Sequence, residues 1–194
     1  PKNNLQPELQ RVKDVLNIGL DCTITNRLQD AAHCKLAINL INALMALVGF
    51  RKRSVESEKI LVHMTTRLLG EGIQVLQAAG FKEHKLGSLP SWNDIQIAVN
   101  IPESPTNPLH DFIINRVGPT SMTQDVFSDK PKTELESLTG YMLKLAHKVG
   151  VSMPINQAIY QIAKEQFCPG FRPIAEIELW EMINNKILDL KLEP

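Results

Sequence analysis

Hydrophobic and polar positions recur with the helical period of 3.6 residues along nearly the whole chain. Helix-capping residues and glycines divide this pattern into segments. The predicted helices span residues 7–18, 25–49, 54–80, 91–99, 107–116, 133–150, 156–166 and 174–189. No stretch alternates with the two-residue period of a strand, and residues 81–120 are rich in proline. The pattern therefore predicts an all-α fold, a multi-helix single domain over residues 1–194.

One predicted helix carries a narrow polar seam on an otherwise apolar surface. In the segment "KLAINLINAL", residues 35–44, Lys35, Asn39 and Asn42 fall within an arc of about 60° on a helix. The other residues from Leu36 to Val48 are apolar all the way round, which is typical of a buried helix. The seam meets water, polar groups of a neighbouring helix, or a ligand, and the pattern leaves these alternatives open.

Composition and charge narrow the range of partners. The chain has 194 residues and a formal net charge of zero at pH 7, so no general attraction to nucleic acid or to an anionic membrane is expected. No apolar run approaches the length of a membrane span by inspection, and no leading signal segment is recognised. Three scattered cysteines do not form a disulfide framework, so the cytoplasm is the expected compartment.

Common catalytic motifs are absent from the sequence. The "GEG" at residues 70–72 lies inside a helical pattern, where a nucleotide-binding turn does not occur. The five histidines lack metal-ligand spacing, so no metal site is predicted, and single His or Cys residues are interpreted as structural. The basic "RKR" at 51–53 is typical of a helix end, with a phosphate contact as the alternative.

A second polar segment covers residues 118–142. It contains a small-residue turn with Ser121 and a helix start at Thr133, with Glu134 in the first turn. Glu136 is the expected capping-box partner of Thr133. Helix capping therefore explains these residue types as well as a binding site does.

Taken together, the two segments resemble a known family. The motifs "KLAIN", "TSMTQD", "TELESLTG" and "GVSMPIN" have the order and spacing found in the C-terminal domain of the ketopantoate reductases, or 2-dehydropantoate 2-reductases. The resemblance covers about residues 20–166. It implies an all-helical domain like the C-terminal domain of 6-phosphogluconate dehydrogenase, packed against an N-terminal Rossmann domain that holds NADPH. It also implies an oxidoreductase of pantothenate biosynthesis.

The resemblance implies a role for each seam and loop residue. Lys35 matches the catalytic lysine, which donates a proton to the ketone oxygen as hydride arrives. Asn39 matches an asparagine that binds the substrate hydroxyl, and Ser121 a serine that contacts the substrate carboxylate. Glu134 matches a glutamate that hydrogen-bonds the substrate near the lysine.

The sequence also departs from the family pattern. Ala43 stands where the family has a second asparagine, and Asn42, one residue earlier, is assigned a substitute substrate-binding role. Gly118 replaces a further asparagine. No dinucleotide-binding segment is recognised, so no cofactor-binding residue is assigned.

Two hypotheses follow. The first is that the chain is the substrate-binding and dimerising half of an NADPH-dependent reductase of a small 2-keto acid, inactive by itself. The alternative is a non-catalytic helical interaction or dimerisation module that retains the fold. Homodimer formation is left open.

Overall fold

The computed structural model of the chain describes residues 6–102, 104, 106–115, 119–130 and 132–192, with side chains described as far as residue 189. Within these residues it contains helices and no strand, which confirms the all-α fold class. The helices are α1 Gln6–Leu16, α2 Leu28–Asn39, α3 Ile41–Val48, α4 Val55–Ala78, α5 Trp92–Asn100, α6 His110–Ile114, α7 Ser121–Phe127, α8 Tyr141–Val149, α9 Pro154–Gln166 and α10 Glu176–Leu192, with a π-helical turn, Glu136–Gly140, before α8.

Helix α4 is the centre of the fold. It contacts α2, α3, α5, α6, α8, α9 and α10. Ser54 caps it as predicted, because its hydroxyl oxygen accepts a hydrogen bond from the Ser57 N–H at 3.2 Å. The two glycines of "GEG" lie within this helix and allow close packing. A Cβ on Gly70 would lie 2.5 Å from Val99 of α5, and one on Gly72 would lie 2.7 Å from Leu40.

The helix predicted over residues 25–49 is interrupted at Leu40. Helix α2 begins only at Leu28, and Arg27 occupies the cap position in place of Thr25 or Asn26. The Leu40 N–H bonds the Ala37 carbonyl three residues back, at 3.3 Å, so the α-helical ladder tightens there. Gly49 ends α3 as expected, with φ of +66°.

The apolar length of the α2–α3 segment contradicts the sequence prediction about membrane spans. Leu28–Val48 covers 21 residues with a mean hydropathy of 1.5 in its most apolar window, enough by length and composition to cross a membrane. The sequence expectation that no run approaches this length is therefore wrong. However, 67% of that window is buried inside the fold. This burial is the pattern of a core helix, and every residue of α3 is buried.

The region around Ser121 is helical rather than a simple turn. Thr120 caps α7 by accepting a hydrogen bond from the Thr123 N–H at 3.1 Å, and Ser121 is the first helical residue. Further along, the Thr133 hydroxyl oxygen accepts from the Leu135 N–H at 3.3 Å, so Thr133 begins the next helical segment. The capping-box role expected for Glu136 is replaced by a contact across the fold, because its carboxylate accepts the Tyr160 hydroxyl.

An ion-pair cluster around the buried Glu176 carboxylate fixes α10 to the loop after α3. Arg51 and Arg53 donate to the Glu176 carboxylate at 2.6 Å and 2.7 Å, and the Glu176 side chain is only 1% exposed. Burial raises the pKa of Glu176, but hydrogen bonds from its own backbone N–H and from both arginines outweigh burial and leave the pKa below its ordinary value. The "RKR" stretch thus lies in a loop, where its two arginines tie α10 to the core.

Candidate functional site

The polar seam runs from solvent into the core. Lys35 is exposed and Asn39 half-buried on α2, whereas Asn42, in the first turn of α3, is 5% exposed. The break at Leu40 lies between the two asparagines. A small molecule approaching the outer face of α2 can therefore reach Lys35 and Asn39 directly.

Asn42 is placed differently from the other two seam residues. Its side-chain oxygen is buried and has no hydrogen-bond partner among the described residues. A buried acceptor without a donor costs about 1–3 kcal/mol, so this oxygen faces the protein interior at a cost to stability. The substitute role predicted for Asn42 has less geometric support than the roles predicted for Lys35 and Asn39.

The structure brings Ser121 and Glu134 together. The Ser121 hydroxyl donates a hydrogen bond to the Glu134 carboxylate at 2.8 Å, and both side chains are exposed. Ser121 begins α7, and Glu134 lies two residues before the π-helical turn, with Leu135 between them. Two residues that lie thirteen positions apart in the sequence thus form one accessible polar pair.

The helices that carry these residues are neighbours. Helix α3 packs along α7, with Phe127 of α7 lying 3.6 Å from the position of a Cβ on Gly49, so the C-terminal ends of the two helices meet. Helix α2 is joined to α8 because the His33 ring and the Tyr141 hydroxyl are 2.8 Å apart. The α2–α3 segment therefore contacts α7, which begins with Ser121, and α8, which follows the π-helical turn after Glu134.

Lys35 and Asn39 on α2 are not joined to the Ser121–Glu134 pair by a polar contact. No hydrogen bond or ion pair joins Lys35 or Asn39 to Ser121 or Glu134 in the part of the chain that the structure describes. Lys35 lies about 200° around α2 from His33 and so points away from the Tyr141 side. Convergence of all four side chains on one substrate stays a prediction.

Of the two positions that depart from the family pattern, the structure describes one, Ala43. Ala43 is 0% exposed and packs in the hydrophobic core, so this position points away from the accessible end of the seam. Gly118 lies outside the described residues.

The adjacent His33 and Cys34 serve the packing of α2. The His33 ring stacks on Phe81 with ring centroids 3.7 Å apart. The Cys34 thiol is buried, which raises its pKa, and its sulfur accepts the His84 backbone N–H at 3.2 Å. Across the described residues, no group of three or more His, Cys, Asp or Glu side chains could hold a metal ion.

One polar cluster escaped the sequence analysis. The Tyr160 hydroxyl donates to Glu136, and Lys164 lies 3.8 Å from the same carboxylate and 5.2 Å above the Tyr160 ring. The hydrogen bond to Glu136, together with burial, raises the pKa of Tyr160 to about 12. A cavity of about 620 Å³ adjoins Glu136 and Lys164. The spacing of Tyr160 and Lys164 on one face of α9 was visible in the sequence, but their partner on another element was not.

Comparisons with known proteins agree on one family. The family model described as "Ketopantoate reductase PanE/ApbA C terminal" matches residues 27–166. A curated 2-dehydropantoate 2-reductase of Vibrio cholerae serotype O1 is 29% identical over 166 residues, which are 84% of this chain and 50% of that protein.

A solved structure adds the fold. The crystal structure of a PanE/ApbA family ketopantoate reductase from Ralstonia eutropha JMP134 matches with a TM-score of 0.57 and 18% identity, over 84% of this chain and 48% of that chain. The chain thus spans about half the length of the relatives that it matches.

Proposed function

The chain belongs to the ketopantoate reductase PanE/ApbA C-terminal family, and from this premise we propose that it is the substrate-binding part of an NADPH-dependent reductase. The proposed reaction is the reduction of 2-dehydropantoate to pantoate, in pantothenate biosynthesis in the cytoplasm. The observation that carries the proposal is the match over residues 27–166, which includes Lys35, Asn39, Ser121 and Glu134.

Lys35 is the proposed proton donor. A nicotinamide cofactor, when bound, would supply hydride to the ketone carbon, and negative charge would develop on the ketone oxygen. The Lys35 ammonium stabilises that charge and transfers a proton to the oxygen. Its exposed position on α2 supports this role, because the ammonium is open to a substrate held at the surface of the helical domain.

The Ser121–Glu134 pair is the proposed anchor for the substrate. The Ser121 hydroxyl can donate to the carboxylate of a 2-keto acid, and Glu134 can accept a hydrogen bond from a substrate hydroxyl. Because Ser121 already donates to Glu134 at 2.8 Å, it has to exchange one carboxylate for another when substrate binds. Asn39, half-buried one turn after Lys35 on α2, is the proposed partner of the substrate hydroxyl.

The cofactor is assigned to the rest of the polypeptide. Dinucleotide phosphates bind where a glycine-rich turn joins a strand to a helix. The described residues contain no strand, and both glycines of "GEG" are buried within α4. Since the curated relative is about twice as long as the matched region, we propose that its remaining half, a Rossmann domain, binds NADPH.

The test is the substitution Lys35→Ala in the intact reductase. We expect turnover of 2-dehydropantoate, followed by NADPH absorbance, to fall by at least about a hundredfold, as for loss of a general acid. The melting temperature should not change, because Lys35 is exposed. Lys148→Ala, at an exposed position in the last turn of α8, is the matched control and should keep full activity. A stable and fully active Lys35→Ala enzyme would retire the proposed role of Lys35.

A second candidate is the non-catalytic interaction module. The observation that favours it is the buried Ala43 at a position where the family has an amide. If the intact polypeptide folds, binds NADPH and oxidises it with none of a panel of short 2-keto acids, the interaction module is the better assignment.

A further inference from the structure

Two glutamates at the π-helical turn Glu136–Gly140 contact different helices. Before the turn, the Glu134 carboxylate accepts the Ser121 hydroxyl of α7 at 2.8 Å. Within the turn, the Glu136 carboxylate accepts the Tyr160 hydroxyl of α9. Short π-helical segments are uncommon and often occur at functional sites. Because one residue separates the two glutamates, a shift of Glu136 is passed along the backbone to Glu134.

Helix α9 supplies the hold on Glu136. The Tyr160 ring packs against the hydrophobic core, so the hydroxyl that donates to Glu136 has a fixed position. The Lys164 ammonium lies 3.8 Å from the same carboxylate, and both of these side chains are exposed. Exposed ion pairs contribute little, so the Tyr160 hydroxyl is the stronger of the two contacts.

Gly140 leaves the space in which the Glu136 carboxylate lies. A Cβ on Gly140 would be 2.9 Å from the Glu136 Oε2 atom and 3.5 Å from the Tyr160 ring. The backbone of Gly140 has α-helical angles, φ −59° and ψ −39°, so its conformation does not require glycine. Glycine is also less favourable than alanine in a helix. The missing side chain therefore serves the contact between Glu136 and Tyr160.

The backbone of Glu134 is tied to the same turn. Its carbonyl accepts the Leu138 N–H at 2.9 Å and the Ser137 hydroxyl at 3.1 Å. Both donors belong to the π-helical turn, so Glu134 and the turn shift together. A side chain that binds a ligand has to be held within about 0.5 Å of its productive position by supporting contacts.

We infer that Tyr160, acting through Glu136, is a positioning residue for Glu134. The Tyr160 hydroxyl holds Glu136 on α9, Glu136 fixes the π-helical turn, and the turn sets where the Glu134 carboxylate meets the substrate. The inference deepens the proposed function and rests on it, because it takes Glu134 to accept a hydrogen bond from the substrate.

Tyr160→Phe in the intact reductase tests this inference, because it removes the hydroxyl and keeps the ring that packs on the core. We expect the KM for 2-dehydropantoate to rise about fivefold, and kcat to change by less than about twofold because Lys35 is untouched. In a Glu134→Ala background the same change should alter KM by less than about twofold, because the positioned carboxylate is already gone. The matched control is Glu165→Gln, which breaks an exposed contact of α9 with Lys186 at 2.7 Å and should leave KM unchanged.

Gly140→Ala separates positioning from stability. Its methyl group displaces the flexible end of Glu136 but favours the helix, so the melting temperature should not fall. The KM should nevertheless rise about threefold or more. In both Gly140→Ala and Tyr160→Phe, the Leu138 amide should exchange at least about threefold faster, with the amides of α4 unchanged.

The other outcomes overturn the inference. If Glu134→Ala raises KM and neither Tyr160→Phe nor Gly140→Ala does, the proposed function stands and the positioning role fails. If the effects of Tyr160→Phe and Glu134→Ala on KM multiply, Tyr160 acts independently of Glu134. If Glu134→Ala leaves KM unchanged, the proposed substrate contact of Glu134 fails, and the positioning role fails with it.

Discussion

At the scale of single residues, the hydrogen bond between Ser121 and Glu134 joins two side chains to which the family resemblance gives substrate contacts. Both are exposed, so the bond contributes little to folding. An accessible polar pair of this kind is available for a ligand. Because the two side chains are in direct contact, a double substitution of Ser121 and Glu134 in the intact reductase is informative.

We predict that Ser121→Ala and Glu134→Gln each raise the KM for the 2-keto acid by about tenfold or more, the effect of losing a hydrogen bond that involves a charged group. Because the two side chains touch, their effects should be coupled. The double variant should therefore raise KM at least about threefold less than the product of the single effects. Steady-state kinetics measures this, with Gln124→Ala on α7 as the control. Effects that simply multiply would show that the pair does not act as a unit.

Glu176 provides a prediction about stability and pH. Its carboxylate is buried against Arg51 and Arg53, so Glu176→Gln should lower the free energy of unfolding by about 3 kcal/mol at pH 7. The pKa of Glu176 is lowered in the folded protein from an ordinary value of 4.5. Its contribution is therefore complete above about pH 4.5 and is lost as the pH falls through the folded-state pKa.

Urea unfolding at pH 7 and at pH 4 checks this prediction. The difference between wild type and Glu176→Gln should shrink at the lower pH. The exposed Glu178→Gln, in the same turn of α10, should change the unfolding free energy by less than about 0.5 kcal/mol at either pH. A difference that stays constant between the two pH values would show that the ionised carboxylate is not what stabilises the cluster.

At the scale of secondary-structure elements, the glycine that ends α3 is under two constraints. Gly49 has a φ of +66°, and a Cβ there would lie 2.6 Å from Pro173. Gly80, after α4, has a φ of +82° but open space around it. Gly80→Ala should cost about 1 kcal/mol from backbone strain alone. Gly49→Ala should cost about 1–3 kcal/mol more, because Gly49 combines its positive φ with a ψ of −178°, a region nearly restricted to glycine, and because Pro173 has to move.

Chemical denaturation of both variants measures the difference. Pro173 precedes Ile174, whose N–H bonds the Leu47 carbonyl at 2.9 Å, so a shift of Pro173 also disturbs the contact between α3 and the start of α10. Equal losses of stability in the two variants would show that neither the ψ of Gly49 nor the packing of Pro173 adds to the cost of a positive φ.

Most of the helices could be predicted from the sequence, because helix caps and hydrophobic periodicity depend on residues that are close together in the chain. Ser54 caps α4, and Ser91 forms a capping box at α5, near the predicted start of a short helix. The break at Leu40 was not readable, since it accompanies close packing of Leu40 on Gly72 of another helix. Helix α7 was missed because it is only seven residues long and gives a weak periodic signal.

The sequence predicted the candidate site only in part, because side-chain contacts between distant segments depend on the packing of the fold. Family motifs suggested the site residues, whose roles stay predictions, whereas the family itself is confirmed by the match over 27–166. The contact of Ser121 with Glu134 and that of Tyr160 with Glu136 depend on how distant segments pack. Periodicity carries no information about such distances. The burial of the Asn42 oxygen likewise depends on what packs against α3.

At the scale of the whole molecule, the surface of the helical part accords with the proposal that it is one part of a two-part enzyme. Lys35 is exposed on α2, and apolar side chains of α1, such as Val12 and Val15, are also exposed. Both features suit a domain whose reaction takes place against another domain. The curated relative is about twice as long as the region that this chain matches, and it is a 2-dehydropantoate 2-reductase.

The proposed division of the enzyme into a helical part and a cofactor-binding part predicts where NADPH binds. In the described residues no strand is present to form a phosphate-binding turn, and a Cβ on either glycine of "GEG" would collide with Val99 or Leu40. The 194-residue chain alone should therefore bind NADPH with a Kd of about 1 mM or weaker. The intact reductase should bind it with a Kd of a few micromolar, about 8 kcal/mol of binding free energy. Isothermal calorimetry of both proteins measures the difference. Micromolar binding by the chain alone would place a nucleotide site among these helices and overturn the assignment of the cofactor to the other half.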